Sequence, residues 1–156
     1  MGLDQYLYKI TYIGGNYEHN GISGTEPILT AFNKPIPIQI KRLVDTKELM
    51  GQWRKANAIH KWFVDNVQNG QDDCNAYYVS SEQLKKLKEI CEQVLNDHSK
   101  AEELLPTTSG FFFGSTDYNE YYFDDIKYTI DILNDCLQED EKETPAPFHF
   151  EYDSSW

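Results

Sequence analysis

The chain of 156 residues contains three cysteines, Cys74, Cys91 and Cys136, an odd number with neither CxxC nor Cys/His spacing. A disulfide framework and a structural zinc site are therefore both poorly supported, and a reducing cytoplasm is the expected setting. No stretch approaches the eighteen or so apolar residues of a membrane span, and the start "MGLDQYLYKITYIGG" lacks a basic segment followed by an apolar run. A soluble, unsecreted, cytoplasmic protein is expected. The glycine turns "YIGG", "GISG" and "SGFFFG" match neither GxGxxG nor a P-loop, so no phosphate cradle is indicated. Asp72-Asp73 shows no EF-hand spacing, and His19, His98 and His149 are scattered. Neither a metal nor a cofactor is expected.

Basic residues are scarce in one region only. Residues 1–101 hold twelve Asp/Glu and twelve Lys/Arg, whereas residues 102–156 hold fourteen Asp/Glu against Lys127 and Lys142 alone. The net charge of −12 thus arises entirely in the C-terminal third. Such a region repels phosphates and anionic headgroups, so direct nucleic-acid or membrane binding through it is disfavoured. A basic protein or a cation is the more natural partner.

Length fits one domain, residues 1–156. Leu3–Ile13 alternates and ends at Gly14-Gly15, which predicts a strand, and residues 14–35 read mostly as loop. In "PIPIQIKRLV", Ile36, Ile38 and Ile40 alternate with Pro37, Gln39 and Lys41 and predict a second strand, with Pro37 favouring its start or a sheet edge. From Thr46, Leu49, Trp53, Ala56, His60, Phe63 and Val67 recur at spacings of three and four, predicting a long helix that ends near Asn69-Gly70. Ser80 and Gln83 form a capping box that opens a second helix, and a short helical turn is expected at Ala101–Leu105. Asp117 and Glu120 predict the start of a third helix running to about Gln138. Residues 139–147 read as an acidic connector, followed by a terminal strand around Phe148, Phe150 and Tyr152. The expected fold is α+β: a small antiparallel or mixed sheet, in which the C-terminal strand joins the N-terminal ones, packed with about three helices.

"GFFFGSTDYNEYYFDD" sets seven aromatic rings beside four carboxylates. At about 100° per residue, Phe123, Ile126, Ile130, Leu133 and Leu137 share one side of the third helix. Asp117, Glu120, Asp124, Asp131, Asp135 and Glu139 share the other, with Tyr121 and Tyr128 among them. This row extends about 33 Å and has few compensating cations, so it resembles the row of negative charges on a phosphate backbone. Charged outer faces are also ordinary on amphipathic helices, so a plain solvated surface and a partner-binding face both remain open. Phe111, Phe112 and Phe113 are expected to anchor the preceding loop in the core.

A second group is Arg54, Asn57, His60, Asp72, Asp73 and Cys74, conceivable as a nucleotide or anion pocket with Cys74/His60 chemistry. His60 lies in the apolar stripe, where a satisfied core histidine is the ordinary reading. Cys91 and Cys136 fall on or beside buried helix faces as small packing residues.

The segments "MGLDQYLYKITY", "WRKANAIHKWFVDNVQNGQDDC" and "LLPTTSGFFFGSTDYNEYYFDD" resemble those of a family of small bacterial, phage and prophage accessory proteins. The resemblance spans most of residues 1–135 and brings no activity or site residue with it. It implies a phage-type accessory protein, a class that often blocks host defence enzymes, including nucleases of restriction and CRISPR systems. Three readings follow. The first is a non-enzymatic inhibitor or adaptor presenting the acidic row to a basic, nucleic-acid-binding host protein. The second is a small-molecule binder or enzyme with a pocket at the first helix. The third is a homo-oligomeric structural protein whose aromatic residues form the interface.

Overall fold

Alternation from Asp4 to Lys9 of β1 (Asp4–Tyr12) buries Gln5, Leu7 and Lys9 on one face and leaves Tyr6 and Tyr8 half-buried on the other. A strand lies in the middle of a sheet when both of its hydrogen-bonding edges find partners. In the computed structural model β1 is indeed central, pairing antiparallel with both β4 (Asp45–Arg54) and β6 (Phe148–Ser155), and β5 (Tyr77–Val79) completes the order β4-β1-β6-β5. A separate hairpin joins β2 (Leu29–Ala31) to β3 (Lys34–Ile36). The helices are α1 (Asn57–Asn66), α2 (Ser81–Asn96), α3 (Ala101–Leu104) and α4 (Glu120–Glu141). The described residues are 2–22, 29–144 and 146–156; residues 23–28 of the expected loop and Pro145 of the expected connector lie outside them.

The fold is therefore α+β with an antiparallel four-stranded sheet, and the C-terminal strand does return to lie beside the first. Leu7, Trp53, Phe63, Phe150 and Tyr152 form the centre of the core, with the Phe63 and Tyr152 rings stacked at 3.9 Å. Leu84, Leu87, Cys91 and Val94 of α2 meet Ile126, Ile132, Leu133 and Cys136 of α4 in the same core. Burial pushes both the Cys91 and the Cys136 thiols up to about 12, as expected of packing residues.

Two expectations are corrected. Ile36–Val44 is not a strand: β3 stops at Ile36, and a 3-10 turn occupies Ile40–Arg42. The segment after Thr46 is not helical until Asn57, because Asp45–Arg54 is a ten-residue strand. The register against β1 slips by one residue at Met50, between the pairs Tyr8–Leu49 and Leu7–Gly51. The bulge rotates the alternation, so Gly51 and Trp53 face inward while Leu49 is 54% exposed. Leu49 and Trp53 thus mimic a helical spacing that pairing with β1 overrides. Lys55 then turns the chain at φ 61°, and α1 begins. β5 is an element that the sequence did not announce.

α2 carries the expected capping box, with Ser80 Oγ accepting from Gln83 N–H and the Gln83 side chain accepting from Ser80 N–H. α4 starts three residues later than expected, because Asn119 rather than an acidic pair caps it, accepting from Tyr122 N–H. Of the three consecutive phenylalanines only Phe113 is buried; Phe111 and Phe112 are exposed, which corrects their expected anchoring role.

Candidate functional site

The phase of α4 is set by what it buries. Tyr122, Ile126, Thr129, Ile132, Leu133 and Cys136 face the sheet and α2, with Trp53 Nε1–H donating to Thr129 Oγ1 at 2.9 Å and Tyr122 O–H donating to Leu105 O at 2.8 Å. The opposite face is thereby forced outward. Glu120, Asp124, Asp131 and Asp135 are exposed on it, as are Tyr121, at 80% exposure, and Tyr128. At 1.5 Å per residue, Glu120 to Asp135 extends about 22 Å. Asp124 pairs with Lys127 at 3.0 Å, both side chains being more than half exposed, a pair of small worth in water. Among the described residues Glu120, Asp131 and Asp135 have no ion-pair partner.

The expected row is shortened at both ends. Asp117 lies before the helix, in a turn where it accepts from Ser115 Oγ at 2.9 Å. Glu139 is partly covered and accepts from Lys142 and, at 2.7 Å, from Lys9 Nζ, bonds that in that order hold its carboxyl down to about 2. It ties α4 to β1 and is committed to the fold. Lys9, buried on β1 opposite Glu48, whose carboxylate lies 3.9 Å away, and lying 4.8 Å over the Phe148 ring, is the partner that the sequence offered no reason to choose.

The second expected group is divided between two places. Arg54, Lys55, Asn57, Asp117, Tyr121 and Asp125 line a cavity of about 300 Å³ at the start of α1. Asn57 is fully engaged there: its Nδ2 donates to Phe113 O and Ser115 O, and its Oδ1 accepts from Thr108 N–H. It pins the 107–115 loop. Asp125, absent from the expected row, has its carboxyl pushed up to about 6, first by burial and then by neighbouring Asp124. Its position one residue off the exposed face was the available signal.

His60 and Asp72 belong to a different cluster. His60 is 1% exposed and has both ring nitrogens engaged, Nδ1 with Tyr152 OH at 2.9 Å and Nε2 with Asp72 Oδ2 at 3.0 Å. The other Asp72 oxygen accepts from Trp156 Nε1–H at 2.9 Å. A histidine so enclosed is a satisfied core residue, and it cannot meet a substrate in solution. Asp73 accepts from Asn75 N–H and Tyr77 O–H, which in that order lower its pKa, and Cys74 is exposed at φ 56°. Sequence proximity thus brought Asp72 to His60, whose two ring nitrogens bond to Asp72 and Tyr152 rather than to Cys74.

Among the described residues no group of three or more His, Cys, Asp or Glu is placed to hold a metal ion, and no helix is long and apolar enough to cross a membrane. Compared with protein-family profiles, curated proteins and solved structures, the chain matches none.

Proposed function

We infer that this chain is a non-enzymatic binding protein that presents the α4 face to a basic, nucleic-acid-binding surface of a partner protein and competes there with nucleic acid. The supporting observation is the exposed face itself: Glu120, Asp124, Asp131 and Asp135 with Tyr121 and Tyr128 on one side of a long helix, with a single ion pair among them. Unpaired like charges at helical spacing cost a few tenths of a kcal/mol each, and their arrangement suits recognition better than folding. Exposed tyrosines add rigid contact area at low entropic cost. In the phage-type setting that the resemblance implies, the partner is a cytoplasmic host defence enzyme, such as a nuclease of a restriction or CRISPR system.

The test is affinity capture from a bacterial lysate with the wild-type chain and with the triple variant Asp124→Lys, Asp131→Lys, Asp135→Lys. A partner retained by the wild type, released by high salt or duplex DNA and missed by the variant supports the reading. Equal capture by the folded triple variant refutes it.

A second reading has one observation in its favour. The cavity of about 300 Å³ lies at the start of α1, where Ala56 supplies no side-chain cap and Arg54 and Lys55 stand on the rim. A thermal-shift screen against nucleotides tests it, since a ligand at 100 times its dissociation constant stabilises by about 2.7 kcal/mol.

A further inference from the structure

Phe32 is 98% exposed, more than any other large apolar side chain among the described residues. It occupies the first of two loop residues between the paired Ala31 and Lys34, with φ 52°, and Asn33 follows with φ 60°. Two successive left-handed residues make the tight turn that matches the twist of a hairpin, a turn that ordinarily takes Asn, Asp or Gly. A bulky aromatic residue there strains the backbone, because its β-carbon crowds the following carbonyl, and its ring, 98% exposed, buries nothing in return. Folding gains nothing from Phe32, and a residue that folding disfavours on two counts points to a use outside the fold.

The charge of the hairpin and of the stretch that follows it to Val44 indicates where that use lies. Residues 29–44 carry Lys34, Lys41 and Arg42 and no carboxylate, in a chain of net charge −12. Ile36 and Val44 of the same stretch are also exposed. The molecule therefore has an aromatic-tipped segment with three cations and no carboxylate, and an acidic helix face, which complement each other in charge. Tyr121 and Tyr128 are seven residues apart on α4, about 10 Å along the axis, a spacing that leaves room for one ring between them.

We propose that the Phe32 hairpin docks on the α4 face of a second copy of this chain, the ring between Tyr121 and Tyr128 and Lys34, Lys41 and Arg42 against Glu120, Asp124, Asp131 and Asp135. Aromatic rings 4.5–7 Å apart attract in offset or edge-on arrangements, and the surrounding charges set orientation and make the contact salt-sensitive. Donor and acceptor surfaces differ, so the contact is head-to-tail and extends into short chains rather than closing as a two-fold dimer. It rests on the reading of the α4 face as an acceptor of basic surfaces, and self-association occupies that face until a stronger basic partner displaces it.

Sedimentation velocity over a range of protein concentrations tests the proposal. At low salt the average mass of the wild type is expected to rise with concentration and to return to the monomer value at high salt. Phe32→Asn, which suits the left-handed turn, should melt higher than the wild type and remain monomeric. The triple Asp→Lys variant, or Tyr121→Ser with Tyr128→Ser should the triple variant not fold, should also remain monomeric alone. Mixing Phe32→Asn with either acceptor variant restores one hairpin and one acceptor and should give dimers and nothing larger. A wild type that stays monomeric throughout, or Phe32→Asn that associates like the wild type, overturns the proposal. Phe32-dependent binding of a monomeric chain to phosphatidylserine vesicles overturns it in favour of a lipid surface. Binding of polylysine separates the two readings: Phe32→Asn should retain it, and its retention by the triple variant would instead refute the α4 face as an acceptor.

Discussion

Gly51 of β4 lies directly beneath Ile132 of α4: a β-carbon on Gly51 would stand 2.6 Å from both the Cδ1 and Cγ2 atoms of that isoleucine. No real side chain tolerates such a distance, so the helix can approach the strand this closely only where the side chain is missing. The same approach lets Trp53 reach Thr129 and turns the acidic face of α4 outward. Gly51→Ala is expected to destabilise by about 1–3 kcal/mol through overpacking, lowering Tm by several degrees. Combining it with Ile132→Ala should cost less than the sum of the two single changes, because the smaller residue vacates the space. Additive losses in thermal melts would show that the helix and strand do not meet here.

Asp125 and Glu139 titrate in opposite senses. Asp125, held near 6 in the folded chain against an ordinary 3.8, binds its proton more readily folded than unfolded. Its contribution is therefore fully present below its unfolded value and is lost as pH rises through about 6. Glu139, held near 2 against an ordinary 4.5, contributes fully above 4.5 and loses its contribution as pH falls toward 2. Asp125→Asn should accordingly stabilise the protein by about 1 kcal/mol near neutral pH, allowing for solvent screening, and leave it unchanged near pH 4. Chemical denaturation across that range measures the difference, and a gain of equal size at both ends would contradict it.

The parts legible from sequence are those whose local signals agree with their tertiary surroundings. β1 and β6 alternate, β1 stopping just before Gly14-Gly15, and α2 announces itself by its Ser80–Gln83 box. The outer face of α4 follows from its apolar stripe, although its true start depended on Asn119, an N-cap that the neighbouring Asp117 and Glu120 obscured. β4 was illegible for a physical reason: the bulge at Met50 breaks its alternation, so Leu49, Trp53 and Ala56 fall at helical intervals. The charge on Glu139 was visible, but its commitment to Lys9 was not, because that pair joins residues 130 positions apart. Phe32 stood in a loop with no periodicity, and only the turn's dihedral angles reveal the strain it carries.

The carboxylate of Asp72 joins three parts of the chain, accepting from Trp156 Nε1–H on one oxygen and meeting His60 Nε2 on the other, while His60 Nδ1 meets Tyr152 OH. The final tryptophan is thereby fastened over the core, 6.1 Å from the Phe113 ring. Removing the carboxylate leaves a buried imidazole nitrogen without a partner, a loss of about 1–3 kcal/mol, and releases the indole at the same time. Asp72→Ala should therefore lower Tm and increase acrylamide quenching of tryptophan fluorescence, since Trp53 and Trp62 stay buried and only Trp156 can become more accessible. Asp73→Ala supplies the comparison, because Asp73 is exposed and its side chain bonds to Asn75 of its own loop and to Tyr77 at the start of β5. If the two alanine variants melt together and quench alike, Asp72 is an ordinary loop carboxylate and the C-terminus is held by strand pairing alone.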